Sequence, residues 1–305
     1  MKFPLSKYIW FDGKLVPVNM AKVPVTTHAI HYGTSIFEGI RAYWNSKNLH
    51  VFRLKDHIKR FRNSGKFYNI TLNFSDKQIE NAVIDLCKKN KIKKSCYIRP
   101  FYFVGQYGIN FHVTQKAPTH TAIFAFPFGD LFNKSGITAT ISKWRKFSDM
   151  STPTQAKMGG NYLNSILATQ DAKQRGFDEA ILLDQSGNVS EAPGENIFLV
   201  KNDELITPPL SSSALDGITR RSVITLANDL NLKIRERKVS KKELKLADEI
   251  FLSGTAAEIT PIIKIDKKKI CSGKVGNITK LFMDTYSDIV MNKNENYSHW
   301  LTTVY

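Results

Sequence analysis

The sequence predicts a mixed α/β (α+β) chain of two domains, on three observations. Its 305 residues suffice for one large domain or two medium ones. The N-terminal part alternates strand-like runs with amphipathic helical stretches, whereas the second half is richer in short strands joined by turns. Between them, from Pro127 to Gly136, the pattern loosens into Gly, Asp, Asn and Ser, which suits a linker. No internal repeat or low-complexity tract interrupts the pattern.

The elements follow in chain order. Tyr8-Ile9-Trp10-Phe11 and Leu15-Val16 flank Asp12-Gly13, a dipeptide suited to a two-residue type I′ hairpin turn. His31 to Gly39 reads as a short helix, with Tyr32, Ile36 and Phe37 on nearby faces. Val51 to Tyr68 reads as a strand end passing into a helix whose apolar positions are Leu54, Ile58 and Phe61. A second helix starts at Ser75, where Ser75 and Gln78 have capping-box spacing, and it buries Ile79, Val83, Leu86 and Cys87. Strands are expected at Tyr97 to Val104 and Thr121 to Phe126. In the second half, Ala180 to Leu183, Asn196 to Val200 and Leu205-Ile206 read as strands, with a turn at Asp184 to Asn188. Helices are expected after Gly160, with Leu163, Ile166 and Leu167 as the buried stripe, and after Gly217, with Val223, Leu226, Ala227 and Leu230.

Composition narrows the function classes. Hydrophobic content of 42% and charged content of 23% are those of a globular protein. No run of about 18 apolar residues occurs, so no spanning helix is expected. The start, Met1-Lys2-Phe3-Pro4-Leu5-Ser6-Lys7, lacks an apolar signal core, and a cytoplasmic location is the expectation. Cys87, Cys96 and Cys271 have neither metal nor redox spacing. His28 and His31 lack a third ligand at motif spacing, so no metal is expected. The formal charge of +17 raises the question of nucleic acid. The surplus is spread over short clusters, such as Lys88 to Lys94 and Lys267-Lys268-Lys269, without interleaved aromatic platforms. Solvated faces explain them better than a phosphate track, and neither nucleic acid nor membrane is expected as a partner.

One lysine stands apart from those clusters. In Ala156-Lys157-Met158-Gly159-Gly160-Asn161-Tyr162, Lys157 has no adjacent acid and little polar company. Desolvation lowers a lysine pKa, and the neutral amine is the form that attacks a carbonyl. Downstream, Ser190-Glu191-Ala192-Pro193-Gly194-Glu195-Asn196 offers carboxylates among tight-turn residues, suited to a protonated ring nitrogen. An amine nucleophile with an acidic partner points to pyridoxal 5′-phosphate, whose ring then acts as an electron sink. Its phosphate calls for helix N-termini and an arginine. Gly217-Ile218-Thr219-Arg220 and Ser253-Gly254-Thr255-Ala256-Ala257-Glu258 are candidates for the first, and Arg60 for the second.

Taken with His28 to Arg41 (which contains Phe37-Glu38-Gly39-Ile40-Arg41) and Tyr97-Ile98-Arg99-Pro100, these segments resemble the class IV (fold type IV) pyridoxal-phosphate aminotransferases. Within that class they are similar to the bacterial branched-chain amino acid aminotransferases, from Tyr8 to about Gly276, in the same order. The resemblance implies an N-terminal α/β sandwich over 1–127, a linker over 128–137 and a C-terminal pseudo-barrel with helices over 138–305. It implies transamination of leucine, isoleucine and valine with 2-oxoglutarate, giving branched 2-oxo acids and glutamate.

Roles carry over position by position. Lys157 matches the catalytic lysine that binds the cofactor and moves the proton between substrate Cα and cofactor C4′. Tyr162 matches the contact to the phenolic oxygen and Glu191 the carboxylate at the ring nitrogen, although the residues alone do not separate Glu191 from Glu195. Arg60, Ile218, Thr219 and Thr255 match phosphate-binding positions. Tyr32, Phe37 and Phe128 match side-chain pocket walls and Gly39 the space beside them, though without the resemblance Tyr32 and Phe37 read as core aromatics. Tyr97 and the Ala256-Ala257 backbone match holders of the α-carboxylate, and Arg99 the partner of glutamate's distal carboxylate. Phe128 stands where many relatives carry tryptophan, and Ile109 lies in a loop that often has methionine; both exchanges bear on substrate preference. D-amino-acid aminotransferase and 4-amino-4-deoxychorismate lyase share the cofactor half, and a basic nucleic-acid-binding protein on the same fold is the reading from another class. The Tyr97-x-Arg99 pair and Phe37 to Arg41 favour the branched-chain branch. The partners implied are small molecules and a second copy of the chain, as a homodimer unit with a larger assembly such as a hexamer left open.

Overall fold

The computed structural model describes residues 6–305, which divide into two compact units. Unit 1 comprises residues up to Gly129 together with Ala156–Gly160 and Asp288–Tyr305, and unit 2 comprises Asp130–Gln155 and Asn161–Ser287. The architecture is the mixed α/β class expected.

Unit 1 holds strands β1 (Tyr8–Phe11), β2 (Lys14–Pro17), β3 (Ser35–Phe37), β4 (Ile40–Trp44), β5 (Leu49–Phe52), β6 (Cys96–Val104) and β7 (Thr119–Pro127). Its helices are α1 (His28–Tyr32), α2 (Leu54–Lys66) and α3 (Asp76–Lys89). Asp12 and Gly13, at φ of 43° and 91°, close the β1–β2 hairpin, as the type I′ turn requires. The Ser75–Gln78 capping box starts α3 as read from sequence.

The expected helix over His31 to Gly39 is not found. α1 stops at Gly33 in the left-handed region, and Ser35 to Phe37 form β3 against Phe101 to Phe103 of β6. A long-range pairing that buries Ile36 outweighs the local helical pattern.

β6 shows how this sheet makes a site. Along a strand, side chains alternate between faces. Cys96, Ile98, Tyr102 and Val104 join Leu54, Ile58 and Phe61 of α2 and Ile79, Val83 and Leu86 of α3 in one apolar core. Tyr97, Arg99, Phe101 and Phe103 therefore fall on the other face, beside Phe124 and Phe126 of β7. Polar and aromatic groups are thus collected opposite the helices.

Unit 2 holds β8 (Ile137–Arg145), β9 (Glu179–Leu183), β10 (Asn196–Lys201), β11 (Glu204–Thr207), β12 (Ile234–Glu236), β13 (Glu249–Gly254), β14 (Glu258–Ile265) and β15 (Lys268–Lys269). Its helices are α4 (Tyr162–Gln174), α5 (Ile218–Asp229) and α6 (Lys241–Lys245), with α7 (Asn277–Val290) beginning in unit 2 and ending in unit 1. The sheet runs β12-β11-β10-β13-β14-β8-β9, with parallel pairs at β8–β9, β8–β14 and β11–β12. β9 is buried along its whole length and β10 and β13 almost so, which accounts for their continuous apolar runs.

The buried stripe expected on α4 is inverted. Leu163, Ile166 and Leu167 are 64%, 51% and 39% exposed, while Asn164, Ser165, Ala168, Asp171 and Ala172 face inward. Small and polar residues win because the helix lies close to backbone and bonds to it. Ser165 Oγ donates to the Pro193 carbonyl at 2.7 Å and Asn164 Nδ2 to the Arg145 carbonyl at 2.9 Å. On α5, Val223, Leu226 and Ala227 are buried as expected, but Leu230 is exposed at its end.

Two segments of the second half belong to unit 1 rather than to the 138–305 stretch. β16 (Leu301–Thr303) adds to the edge of the first sheet by pairing with β5, so that sheet runs β16-β5-β4-β6-β7-β1-β2 with β3 on β6. Ala156–Gly160 is gripped by backbone bonds described next.

Candidate active site

One group of candidate residues is built within unit 1 around Lys157. The Phe37 amide donates to the Lys157 carbonyl at 3.1 Å, the Lys157 amide donates to Ser64 Oγ at 3.0 Å, and Met158 bridges Ile36. β3 and α2 therefore hold the lysine backbone from two sides. Its amine lies over the Phe37 ring, 4.8 Å from the centroid. Burial pushes the amine down to about 8, with Arg60 and Arg99 pushing the same way and Glu38 and Tyr97 opposing. At neutral pH roughly a tenth of such an amine is free base, against well under a hundredth for an ordinary lysine.

The face of β6 opposite the core supplies a second cluster. Arg99 stacks over the rings of Phe37 (4.7 Å) and Tyr97 (5.2 Å), and its Nη2 donates to the Tyr97 hydroxyl at 3.1 Å. Its buried Nε has no hydrogen-bond partner among the described residues, leaving donor capacity for an anion. Phe128 lies 5.4 Å from the Tyr97 ring, and Arg41 stacks on Phe128 at 5.2 Å. Gly39 lies against the same tyrosine: a Cβ there would fall 1.7 Å from the hydroxyl. Lys157, Phe37, Gly39, Tyr97, Arg99 and Phe128 are thus brought together. Tyr32 is not among them, and its ring instead meets His28, His31 and Phe111.

Arg60 is not on a solvated face. Its Nε and Nη2 donate to the two oxygens of Glu38 at 2.6 and 2.9 Å, and His57 Nδ1 lies 2.8 Å from Glu38 Oε2. Burial alone would raise the Glu38 pKa, but Arg60 and His57 hold it well below the usual carboxylate range. Burial pushes the His57 pKa down against the pull of Glu38, and because the carboxylate only accepts, Nδ1–H donates to it. Neither Glu38 nor His57 was singled out by sequence. The available signal was His57 and Arg60 three apart, which places them on one face of α2.

A separate group of candidate residues lies within unit 2. Glu191 is buried and takes three donors: Lys146 Nζ at 2.5 Å, Asn196 Nδ2 at 3.1 Å and the Leu215 amide at 2.9 Å. Burial opposes charge on Lys146, yet Glu191, assisted by Tyr162, raises its pKa. Glu195 is engaged differently, accepting from the Gly194 amide at 3.2 Å. Tyr162 opens α4, which Ser165 ties to the Pro193 turn. Ile218 and Thr219 form the buried first turn of α5 after Gly217, where backbone amides lack helical partners. Thr255, Ala256 and Ala257 make the turn between β13 and β14, and Ser253 in β13 pairs with Asn196. Lys146 was missed, because a lone basic residue after a strand gives no spacing signal, and Asn196 was read only as the end of the motif segment and the start of a strand.

Residues 35–265 match the profile of the family described as amino-transferase class IV. The branched-chain-amino-acid aminotransferase of Escherichia coli (strain K12) is 42% identical over 303 residues, 98% of either chain. The crystal structure of a branched-chain aminotransferase from the thermophilic archaeon Thermoproteus uzoniensis, with norvaline, is similar at 43% identity and a TM-score of 0.95, covering 98% of this chain and 100% of that one. The branched-chain amino acid aminotransferase from Thermobaculum terrenum, in its PLP-bound holo-form, is similar at 35% identity and a TM-score of 0.93, covering 99% of either chain.

Proposed function

The chain belongs to the class IV amino-transferases, and on that premise we propose that it is a branched-chain-amino-acid aminotransferase passing the amino group of leucine, isoleucine or valine to 2-oxoglutarate. The observation that carries this reading is a lysine amine lowered to about 8 beside an arginine stacked on aromatic rings. Such a pocket can take apolar methyl groups against Phe37 and Tyr97, or a distal carboxylate on the Arg99 Nε, which has no partner among the described residues.

The residues fit pyridoxal 5′-phosphate, the cofactor of the family. When bound, it supplies the electron sink that stabilises negative charge at the substrate Cα. Lys157 would hold the cofactor through Nζ and, as free base, would take up and return the proton at the substrate Cα. Glu191, fixed in place by Lys146, Asn196 and the Leu215 amide, would face the ring nitrogen. Tyr162 would hold the phenolic oxygen. Arg60, Thr219, Thr255 and the amide of Ile218 would hold the phosphate, which suits the N-terminus of α5. Tyr97 and the Ala256-Ala257 backbone would hold the α-carboxylate, while Tyr32, Phe37, Phe128 and Gly39 would shape the side-chain pocket.

The active form is proposed as a cytoplasmic homodimer. The exposed apolar residues Val25, Ile30, Ile109 and Phe111 of unit 1 support a partner copy, and no described helix is long and apolar enough to cross a membrane. Sedimentation at micromolar concentration tests the assembly. For the reaction, the visible band of the purified holoenzyme should shift on adding leucine and return on adding 2-oxoglutarate. Borohydride reduction and peptide mapping should place the pyridoxyl group on Lys157; a label on another lysine would overturn the assignment. Glu191→Gln should keep the cofactor and lose several kcal/mol of transition-state stabilisation, on the order of other electrostatic catalytic groups.

A further inference from the structure

One buried charge in unit 1 has no role in the chemistry above. Glu38 has no exposed surface, and all its acceptor capacity is spent on Arg60 Nε and Nη2, His57 Nδ1 and the Gly39 amide. Its chain neighbour Phe37 donates its amide to the Lys157 carbonyl. One turn beyond Arg60, Ser64 Oγ donates to the Arg60 carbonyl at 2.9 Å and accepts from the Lys157 amide at 3.0 Å. The Glu38–Arg60 pair therefore spans the two elements that grip the lysine.

We infer that Glu38 is a positioning residue that fixes the Arg60 guanidinium and, as its counter-charge, sets how much of Lys157 is free amine. This rests on the reading of Lys157 as the reactive amine. The charged and titratable groups facing it within unit 1 are Arg60 and His57 of α2, Glu38 between β3 and β4, and Tyr97 and Arg99 of β6. An unaccompanied Arg60 would drive the amine further toward the neutral form, and the carboxylate that Arg60 holds in a bidentate bond opposes it. A bidentate bond at Nε and Nη2 also holds the guanidinium plane in one orientation without a mobile counter-ion.

Competitive acetylation of Lys157 in the full chain freed of cofactor, followed by peptide mass spectrometry across neutral to alkaline pH, reads the free-amine fraction without turnover. Glu38→Gln should raise that fraction at neutral pH by about 2.5- to fivefold, a shift of half to one pH unit. Arg60→Gln should lower it by a similar factor, and the double variant should return close to wild type. Glu38→Asp, which keeps the charge, should label nearly as wild type. If Glu38→Gln unfolds, the comparison of Arg60→Gln with the double variant carries the test: the double must label more readily. Equal labelling of wild type and Glu38→Gln, or of Arg60→Gln and the double, assigns Glu38 a structural role only and overturns the inference. Failure to find the pyridoxyl group on Lys157 would instead overturn the functional reading, whatever the labelling profile.

Discussion

Arg99 illustrates how one side chain is proposed to serve two substrates. Its guanidinium lies over the rings of Phe37 and Tyr97, and its buried Nε has no hydrogen-bond partner among the described residues, so ring faces are offered to an apolar substrate and a donor to a carboxylate. Arg99→Ala should weaken the half-reactions of glutamate and 2-oxoglutarate by about 1.5–3 kcal/mol while sparing leucine. Stopped-flow half-reactions make the comparison directly, and equal losses would make Arg99 a scaffold. Gly39 is equally constrained, because any side chain there enters the space of the Tyr97 hydroxyl. Gly39→Ala should displace Tyr97, raise KM for the amino acid and cost about 1–3 kcal/mol of overpacking, read by kinetics and urea unfolding together. Lys157 itself costs stability. Its folded pKa of about 8 lies below the ordinary value of 10.5, so the penalty is full below pH 8 and relieved as pH rises from there through 10.5. Lys157→Met should therefore stabilise the fold at neutral pH by up to about 3 kcal/mol, read as a higher melting temperature, and lose the gain at high pH.

At the scale of the element, β9 holds a group with the opposite pH dependence. Glu179 is buried at its start, with the Ala180 amide donating to Oε1 at 2.7 Å. Burial pushes its pKa up to about 7, from 4.5. Below 4.5 both folded and unfolded chains carry the proton and the group costs nothing. As pH rises from 4.5 through 7 the folded state is increasingly penalised, by up to about 3 kcal/mol above that range. Glu179→Gln should raise the melting temperature near pH 9 and leave it unchanged near pH 4; a uniform gain would trace to packing rather than charge. α4 shows why the element cannot be read in isolation. Its apolar residues suggest an inward stripe, but the partners it meets are a carbonyl at Pro193, one at Arg145 and the amide of Lys143, and these select Ser165, Asn164 and Asp171.

Across the whole molecule, the chain end is part of the first unit's sheet. Trp300 packs under the Arg53 guanidinium at 4.9 Å, the Arg53 amide donates to the Trp300 carbonyl at 2.6 Å, and the Tyr305 hydroxyl donates to the Ile92 carbonyl at 3.0 Å. Removal of residues 295–305 should destabilise the protein by at least about 3 kcal/mol, since it deletes buried Trp300 and Val304 and uncovers the edge of β5. Equilibrium unfolding in urea checks this, and a loss below about 1 kcal/mol would contradict the role given to β16.

By itself the sequence determined what short-range geometry and periodicity decide. Asp12-Gly13 dictates its turn through torsions only such residues adopt readily, and Ser75 with Gln78 caps a helix across three residues. The period of two in β6 separates Tyr97 and Arg99 from the core residues Ile98 and Tyr102. The motif segments around Lys157, Glu191 and Gly217 were legible as chemistry because each is contiguous. The tertiary structure decided what depends on partners distant in sequence. It made Ser35 to Phe37 a strand, turned α4 over, joined Glu38 to Arg60 and His57, and gave Glu191 its lysine. Such pairs follow from which backbones pack together, and burial then strengthens each charge's interaction by removing the water that would screen it. The alternation of a strand is written in its residues; the charge on a buried amine is set by everything folded around it.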